Sequence, residues 1–179
     1  MTQGPSFVVR PATADDLDPL VELFAAVVDE GLWLGAEPPP DTAGQRRRLR
    51  EQMEAGRAGG SLVAVSVGSG PVIGHVTLDV APYDVASLAM IVDASWRGRG
   101  VGGALVEEAI GWARRRGAHK LTLEVWPHNH AARRLYRRHG FAEEGVLRRH
   151  YRRKNGELWD AVVMGLVLDD TSPGSSLPS

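Results

Sequence analysis

A glycine-rich turn between a strand-like and a helix-like segment constrains this chain more than any other feature. The turn reads Arg97-Gly98-Arg99-Gly100-Val101-Gly102-Gly103. Successive glycines let the backbone approach a ligand closely, and the unpaired amides at the start of a helix point outward. The two arginines can add charge-assisted hydrogen bonds. A pyrophosphate is therefore the natural guest of this turn, and a mobile surface turn is the alternative.

Two common phosphate-binding motifs do not account for the turn. Gly98, Gly100 and Gly103 match the spacing of a dinucleotide fingerprint, and Glu124 lies near the expected ribose-binding position. In that fold, however, the turn follows the first strand almost directly, and too few residues follow here to complete the sheet. A Walker loop is excluded because neither Gly-Lys-Ser nor Gly-Lys-Thr follows.

The size and composition of the chain indicate one globular domain. Its 179 residues are 43% hydrophobic and 24% charged, values typical of globular proteins. We expect a single domain over residues 1–168 and a disordered tail over residues 169–179, which are polar and contain proline. The chain has no cysteine, which removes disulfides, thiolate metal sites and thiol nucleophiles, and we expect no metal.

The chain begins without a signal-peptide pattern, and no apolar run reaches the length of a membrane span. We therefore expect a cytoplasmic protein without membrane contact. The formal net charge is only −1, but residues 97–154 hold 15 of the 21 basic residues. Such a basic region attracts a polyanion, either a phosphorylated cofactor or a nucleic acid.

Hydrophobic periodicity predicts the order of the secondary structure. Apolar residues recur at helical spacing in the first helix, which Gly31 ends. The other predicted helices span residues 42–58, closed by Gly59-Gly60, 100–116 and 129–139. The predicted strands span residues 7–10, 61–67, 72–80, 85–92, 120–126, 141–149 and 158–168. Turn residues at 68–71 and at Asn155-Gly156 join two pairs of strands as hairpins.

A second motif reads Asn129-His130-Ala131-Ala132-Arg133-Arg134-Leu135-Tyr136-Arg137-Arg138-His139-Gly140-Phe141. Together with the glycine-rich turn it resembles the GNAT superfamily of acyl-CoA-dependent N-acyltransferases. That family's pyrophosphate loop has Gln or Arg, two variable residues, Gly, one variable residue and then Gly or Ala. An asparagine follows later in the chain, before a helix with Ala and Leu-Tyr, and then Gly-Phe. The order of predicted elements matches the family from residue 7 to residue 168.

The resemblance implies an α/β (α+β) GNAT fold. Its central mixed, mostly antiparallel sheet has about seven strands and is flanked by about four helices. It implies that residues 1–168 form one GNAT N-acetyltransferase domain and that acetyl-CoA is the co-substrate.

The resemblance also assigns residues to the cofactor. The backbone of residues 90–92 would bond the pantetheine arm as an added strand, and residues 97–103 would hold the pyrophosphate. Asn129 would bond the pantetheine or stabilise the parting of the strands, and Tyr136 would lie beside the thioester sulfur. Arg133 and Arg138 would reach the ribose phosphate or form a solvated face. The full cofactor set is Met90, Ile91, Val92, Arg97, Gly98, Arg99, Gly100, Val101, Gly102, Gly103, Asn129, Ala132, Arg133, Tyr136 and Arg138.

The implied chemistry needs a base, because a lysine-like amine with a pKa near ~10.4 is mostly protonated at neutral pH. Glu124 is the candidate, since strand alternation places it opposite the apolar face, and its Leu-Glu-Val segment resembles that of the ribosomal-protein N-terminal acetyltransferases. A strand carboxylate paired with an arginine is the alternative for Glu124, and His75 and His128 are competing bases. Tyr136 is the candidate proton donor to the departing thiolate, with a core packing role as its alternative.

The expected acceptor is the primary amine of a small amino-acid-like or amine compound. Residues 31–40 and the hairpin after Arg148 are expected to shape the acceptor site. Glu30, Glu37 and Asp79 could bind an ammonium group or be solvated. The open alternatives are an N-terminal peptide acetyltransferase and a noncatalytic CoA-binding regulator, and we expect no nucleic-acid partner. Trp159, in a chain with few aromatic residues, suggests a buried contact and hence a possible homodimer.

Overall fold

Seven strands form one mixed sheet in the part of the chain that the computed structural model describes, residues 6–54, 59–68 and 70–168. The strands are β1 (Phe7–Pro11), β2 (Gly59–Ser66), β3 (Val72–Ala81), β4 (Val85–Val92), β5 (Lys120–Val125), β6 (Ala142–Arg152) and β7 (Leu158–Val167). The α-helices of this part are α1 (Leu17–Asp29), α2 (Thr42–Glu54), α3 (Val101–Arg115) and α4 (His130–Arg138). The sheet order is β1-β2-β3-β4-β5-β7-β6.

The helices cover the two faces of the sheet and divide the core into two clusters. Leu105 and Ala109 of α3 pack with Val76 of β3 in the larger cluster. Leu20 of α1 and Leu49 of α2 pack with β2 and β3 residues in the smaller cluster. Because successive strand residues point to opposite faces of the sheet, β2 and β3 each contribute residues to both clusters.

The strands β4 and β5 part from each other. These two strands run parallel, whereas the other described neighbours in the sheet are antiparallel. Three residue pairs join them: Val85 with Lys120, Ala86 with Leu121 and Ser87 with Thr122. Beyond these pairs β4 continues beside β3, and β5 continues beside β7. The edge of β4 that faces β5 therefore has no strand partner over Leu88–Val92, and a gap opens there.

The predicted elements are all present, with shifted ends. Gly59 and Gly60, expected to close a helix, instead begin β2, where they pair with Asp79 and Leu78. Residues 55–58, expected at the end of α2, lie outside the described residues, as do Ser69 and the expected tail at 169–179.

The strand β6 was expected to end at residue 149 and continues to Arg152. Arg149 has a φ of 51°, and the register with β7 shifts between Leu147 and Tyr151. A bulge of this kind adds residues to one strand without ending its pairing. Period-two alternation therefore breaks at Arg149, which is why the pattern suggested an end.

Trp159 has its partners within the chain. Its ring meets Trp126 edge-on at 5.4 Å, and the Arg153 guanidinium lies 4.3 Å from the ring centroid. Its Nε1 donates to Glu157. These contacts remove the reason that Trp159 offered for a homodimer, which stays a prediction without support.

No helix in the described ranges is long and apolar enough to cross a membrane.

Candidate active site

A cleft of about 1120 Å³ fills the gap between the parted strands. This volume exceeds that of a typical small-ligand pocket, about 300–1,000 Å³. Its walls come from the free edge of β4, the turn before α3, one face of α4, β5 and the loop after α1. The lining includes Leu88, Ala89, Met90, Ile91, Val92, Gly98, Gly100, Gly102, Gly103, Asn129, Ala132 and Tyr136.

The glycine-rich turn has the backbone that an anion cradle needs. Gly98 and Gly100 have φ values of 75° and 88°, a left-handed region in which a side chain would be strained. Gly100 is the N-cap of the 15-residue α3, and the amide of Ala104 is the first to reach its carbonyl. The preceding amides of α3 lack helical partners, and the helix dipole adds partial positive charge at the same place.

The arginine side chains of the turn already contact protein groups, so they are less available to a ligand than the backbone amides. Arg97 forms two hydrogen bonds with Glu30, of 2.6 and 2.7 Å, and its Nε donates to the carbonyl of Val92. The Arg99 guanidinium lies over the Trp96 ring. Arg99 and the buried Val101 are not among the residues that line the cleft.

Glu30 is the centre of a small cluster at the end of α1. It accepts from Arg97 and, at 2.6 Å, from Nε1 of Trp33. The hydrogen bond from Arg97 is the main cause that holds the pKa of Glu30 below its usual range. Glu30, considered above as an ammonium ligand, is therefore already paired.

Asn129 begins α4 and reaches the cleft. Its Oδ1 accepts a hydrogen bond of 3.1 Å from the amide of Ala132, which is N-capping. This bond leaves the Nδ2 donors of Asn129 for a ligand. Asn129 and Ala132 both line the cleft.

Tyr136 combines a packing role with a place on the cleft wall. Its side chain is 6% exposed, and its ring lies 5.6 Å from that of Phe141. Burial raises the pKa of the Tyr136 phenol above its usual value of 10. The phenol therefore keeps its proton at neutral pH and can donate it.

The arginines of α4 divide between two directions. Arg133 donates to Glu143 and to the carbonyl of Pro127, and it is not among the lining residues. Arg134 and Arg138 line the cleft. They lie one helical turn apart, so they share a face of α4. The sequence prediction named Arg133 and Arg138 and did not name Arg134, although its four-residue spacing from Arg138 was a usable signal.

Glu124 lies on β5 opposite Val163 of β7 and lines the cleft. Its Oε2 accepts a hydrogen bond of 2.5 Å from the Tyr151 hydroxyl. This bond is the main cause that raises the pKa of Tyr151 to about 12. The partner of Glu124 is thus a neutral phenol and not an arginine.

Tyr151 and Trp126 were not predicted as site residues. Both line the cleft, and their rings meet edge-on at 5.0 Å. Trp126 is 6% exposed, and its Nε1 has no hydrogen-bond partner within the described residues. The register shift between Leu147 and Tyr151 places Tyr151 opposite Trp159 of β7, a pairing that strand alternation alone does not predict.

The two competing histidines lie away from the cleft wall. His75 is 4% exposed and bonded to Oγ of Ser61 at 2.8 Å, and burial lowers its pKa to about 4. His128 bonds the carbonyl of Leu32 and contacts Trp33 and Trp159. Neither is a lining residue.

The loop at residues 31–40 is held against the β6–β7 hairpin by Arg153. This arginine is 5% exposed and donates to the carbonyls of Leu34 and Gly35 at 3.0 and 3.1 Å. Its Nε lies 3.5 Å from Glu37, which also accepts from the amide of Lys154. Glu37 is therefore paired, and Asp79, like Glu37, is not a lining residue.

Comparisons with known proteins find relatives among the N-acetyltransferases. The chain is 36% identical over 106 residues to the L-amino acid N-acetyltransferase AaaT of Escherichia coli, covering 55% of this chain and 63% of that protein. It is 33% identical over 132 residues to the N-alpha-acetyltransferase RimI of Mycobacterium tuberculosis, covering 71% and 76%. The match to AaaT thus spans less than two thirds of that relative's length.

The fold also matches solved structures. YncA of Salmonella typhimurium, solved with its cofactor acetyl-CoA, superposes with a TM-score of 0.79 at 22% identity, over 96% of this chain and 99% of that one. The sequence model of the acetyltransferase (GNAT) family matches residues 28–141. Since that match covers more than half of the chain and the predicted GNAT fold is confirmed, the protein belongs to the acetyltransferase (GNAT) family.

Proposed function

We propose that the protein transfers the acetyl group of acetyl-CoA to the primary amine of a small amino-acid-like or amine acceptor by direct attack. The observation that carries this proposal is the single cleft at the parting of β4 and β5. It joins an anion cradle, a free strand edge, a carboxylate and a neutral phenol in one space.

The residues present fit acetyl-CoA along the length of the cleft. The unpaired edge of β4 at Leu88–Val92 offers backbone donors and acceptors to an extended amide-containing arm. The turn at residues 97–103 offers amides to a pyrophosphate, and Arg134 and Arg138 offer cations to phosphate groups.

Glu124 and Tyr136 have the proton-transfer roles in this proposal. Acetyl-CoA supplies a thioester whose C–S bond breaks as the amine nitrogen bonds to its carbonyl carbon. Glu124 accepts the amine proton, directly or through water, on the oxygen that Tyr151 does not occupy. Tyr136 donates its phenolic proton toward the leaving sulfur. Tyr151 keeps the Glu124 carboxylate in one orientation.

The acceptor end supports a small acceptor. Arg153 fixes the loop at residues 31–40 on the hairpin, so this end has walls that do not depend on the ligand. AaaT is named for acting on L-amino acids, which supports the same choice. The rival, supported by the RimI relative, is acetylation of a peptide N-terminus.

The deciding experiment measures thiol release from acetyl-CoA with a panel of free amines, amino acids, amides and peptides. We expect turnover with small amines, and loss of turnover but not of CoA binding in Glu124→Gln. Turnover with peptides alone would contradict the proposed small acceptor and support acetylation of a peptide N-terminus. Binding of CoA without acetylation of any amine would indicate a noncatalytic CoA-binding regulator.

A further inference from the structure

The acceptor end of the cleft has a distinct charge pattern. We define this end by the lining residues Trp33, Leu34, Glu124, Trp126 and Tyr151. From this pattern we propose that the acceptor is an apolar or aromatic primary amine with no carboxylate beside the amine, such as an amino-acid amide. The inference rests on the proposed function and names the class of its acceptor.

One cation beside this end, Arg97, is already neutralised. Arg97 lines the cleft, but both of its terminal nitrogens bond to Glu30 and its Nε bonds to the carbonyl of Val92. Its guanidinium also lies over the Trp33 ring, 5.7 Å from the centroid. A carboxylate on the acceptor would have to displace Glu30 from a bidentate pair, which is the strong form of an arginine contact.

The second arginine of this region is buried behind the wall. The Arg153 side chain is 4% exposed, lies between Trp159 and the loop carbonyls, and is not a lining residue. Among the described lining residues the other arginines are Arg134 and Arg138. They lie on α4, and the proposed function assigns them to phosphate.

The carboxylate at this end is not neutralised. The Tyr151 phenol bonded to Glu124 is uncharged at neutral pH, so it gives Glu124 a hydrogen bond and no opposite charge. The carboxylate of a free amino acid lies only two bonds from the amine nitrogen. When the amine reaches Glu124, that carboxylate would stand a few ångström from a like charge, which is unfavourable even though Glu124 is an exposed residue.

The remaining walls are apolar and aromatic. Trp33, Trp126 and Tyr151 present rings, and Leu34 and Val27 present aliphatic groups. Such walls favour the burial of an apolar body. An ammonium group meets Glu124, the body meets the rings, and a neutral amide is tolerated where a carboxylate is not.

The test compares L-phenylalaninamide, L-phenylalanine and 2-phenylethylamine, which share the ring and the primary amine. Because their amine pKa values differ, kcat/KM is calculated for the free-base fraction of each. We expect the amide and 2-phenylethylamine to exceed the acid by about tenfold or more. Equal or better turnover of the acid would overturn this inference and leave the proposed function intact. If none of the three compounds and no peptide is acetylated, the proposed function fails and this inference fails with it.

A variant tests the charge argument directly. Glu30→Gln removes the anion that neutralises Arg97, so the ratio of acid to amide turnover should rise several-fold. A ratio cancels any common effect on folding or on CoA binding. The matched control is Glu143→Gln, which removes the partner of Arg133 outside the cleft and should leave the ratio unchanged. An unchanged ratio in Glu30→Gln would overturn the inference.

Discussion

The hydroxyl of Tyr151 lies 2.5 Å from Oε2 of Glu124, and the two residues come from β6 and β5, which do not neighbour each other in the sheet. The strand β7 lies between them. The Tyr151 ring rests edge-on against Trp126, so the hydroxyl is held by packing as well as by its hydrogen bond. This pair orients the carboxylate that we propose as the base.

We therefore expect Tyr151→Phe to lower kcat by about tenfold or more, because the carboxylate loses the donor that orients it. CoA affinity should not change. In a Glu124→Gln background the same substitution should have little further effect, since residues that act as a unit are not additive. Steady-state kinetics of the four proteins measures this coupling. The same factor in both backgrounds would contradict it, and Tyr83→Phe, at a tyrosine 89% exposed, is the matched control.

Tyr136→Phe tests the proposed proton donor. The phenol is protonated at neutral pH, and burial raises its pKa further. If it is the proton donor, its loss should reduce the rate by up to ~10²–10⁴, the range of positioned proton transfer. The ring packing against Phe141 survives in phenylalanine, so the fold and CoA binding should be preserved. Acyl donors with better leaving thiols should recover part of the rate. Normal turnover, with the chemical step shown to limit the rate, would leave Tyr136 with its packing role alone.

The arginines of α4 predict a contrast in CoA affinity. Arg134→Gln and Arg138→Gln should each weaken CoA binding about 10- to 100-fold, the size of a lost charge-assisted hydrogen bond. Arg133→Gln should bind CoA normally, because Arg133 contacts Glu143 and Pro127. Calorimetry with CoA and with dephospho-CoA measures this and shows which arginine reaches the 3′-phosphate. A loss confined to Arg133→Gln would reverse the assignment.

His75 predicts a pH dependence of stability. Burial lowers its folded-state pKa from 6.5 to about 4, so between these values the unfolded chain binds the proton and the folded chain does not. The contribution is fully present above pH 6.5 and is lost as the pH falls toward 4, by about 3 kcal/mol in total. Urea unfolding across this range should show a smaller pH dependence in His75→Gln. The exposed His130 provides the control, and His130→Gln should keep the slope of the parent.

Local chemistry was readable from the sequence because each local signal depends on residues close in the chain. The positive φ angles at Gly98 and Gly100 required glycine, and Asn129 caps the helix that follows it. The apolar periods predicted the strands and helices with errors only at their ends. These signals predicted the order of the elements, and the resemblance carried by the two motifs implied the fold class, which the family match confirmed.

The partners of the charged side chains were decided by the tertiary structure. Arg97 and Glu30 are 67 residues apart, and nothing near either residue indicates that the turn arginine is neutralised by the end of α1. Arg133 and Arg134 are adjacent and chemically identical, yet only Arg134 faces the cleft. The two-residue register shift between Leu147 and Tyr151 places Tyr151 opposite Trp159, and the tertiary structure brings its hydroxyl to Glu124. Periodicity determines which face of an element is buried, whereas the partner of a long polar side chain depends on how separate elements pack, and only the folded chain sets that.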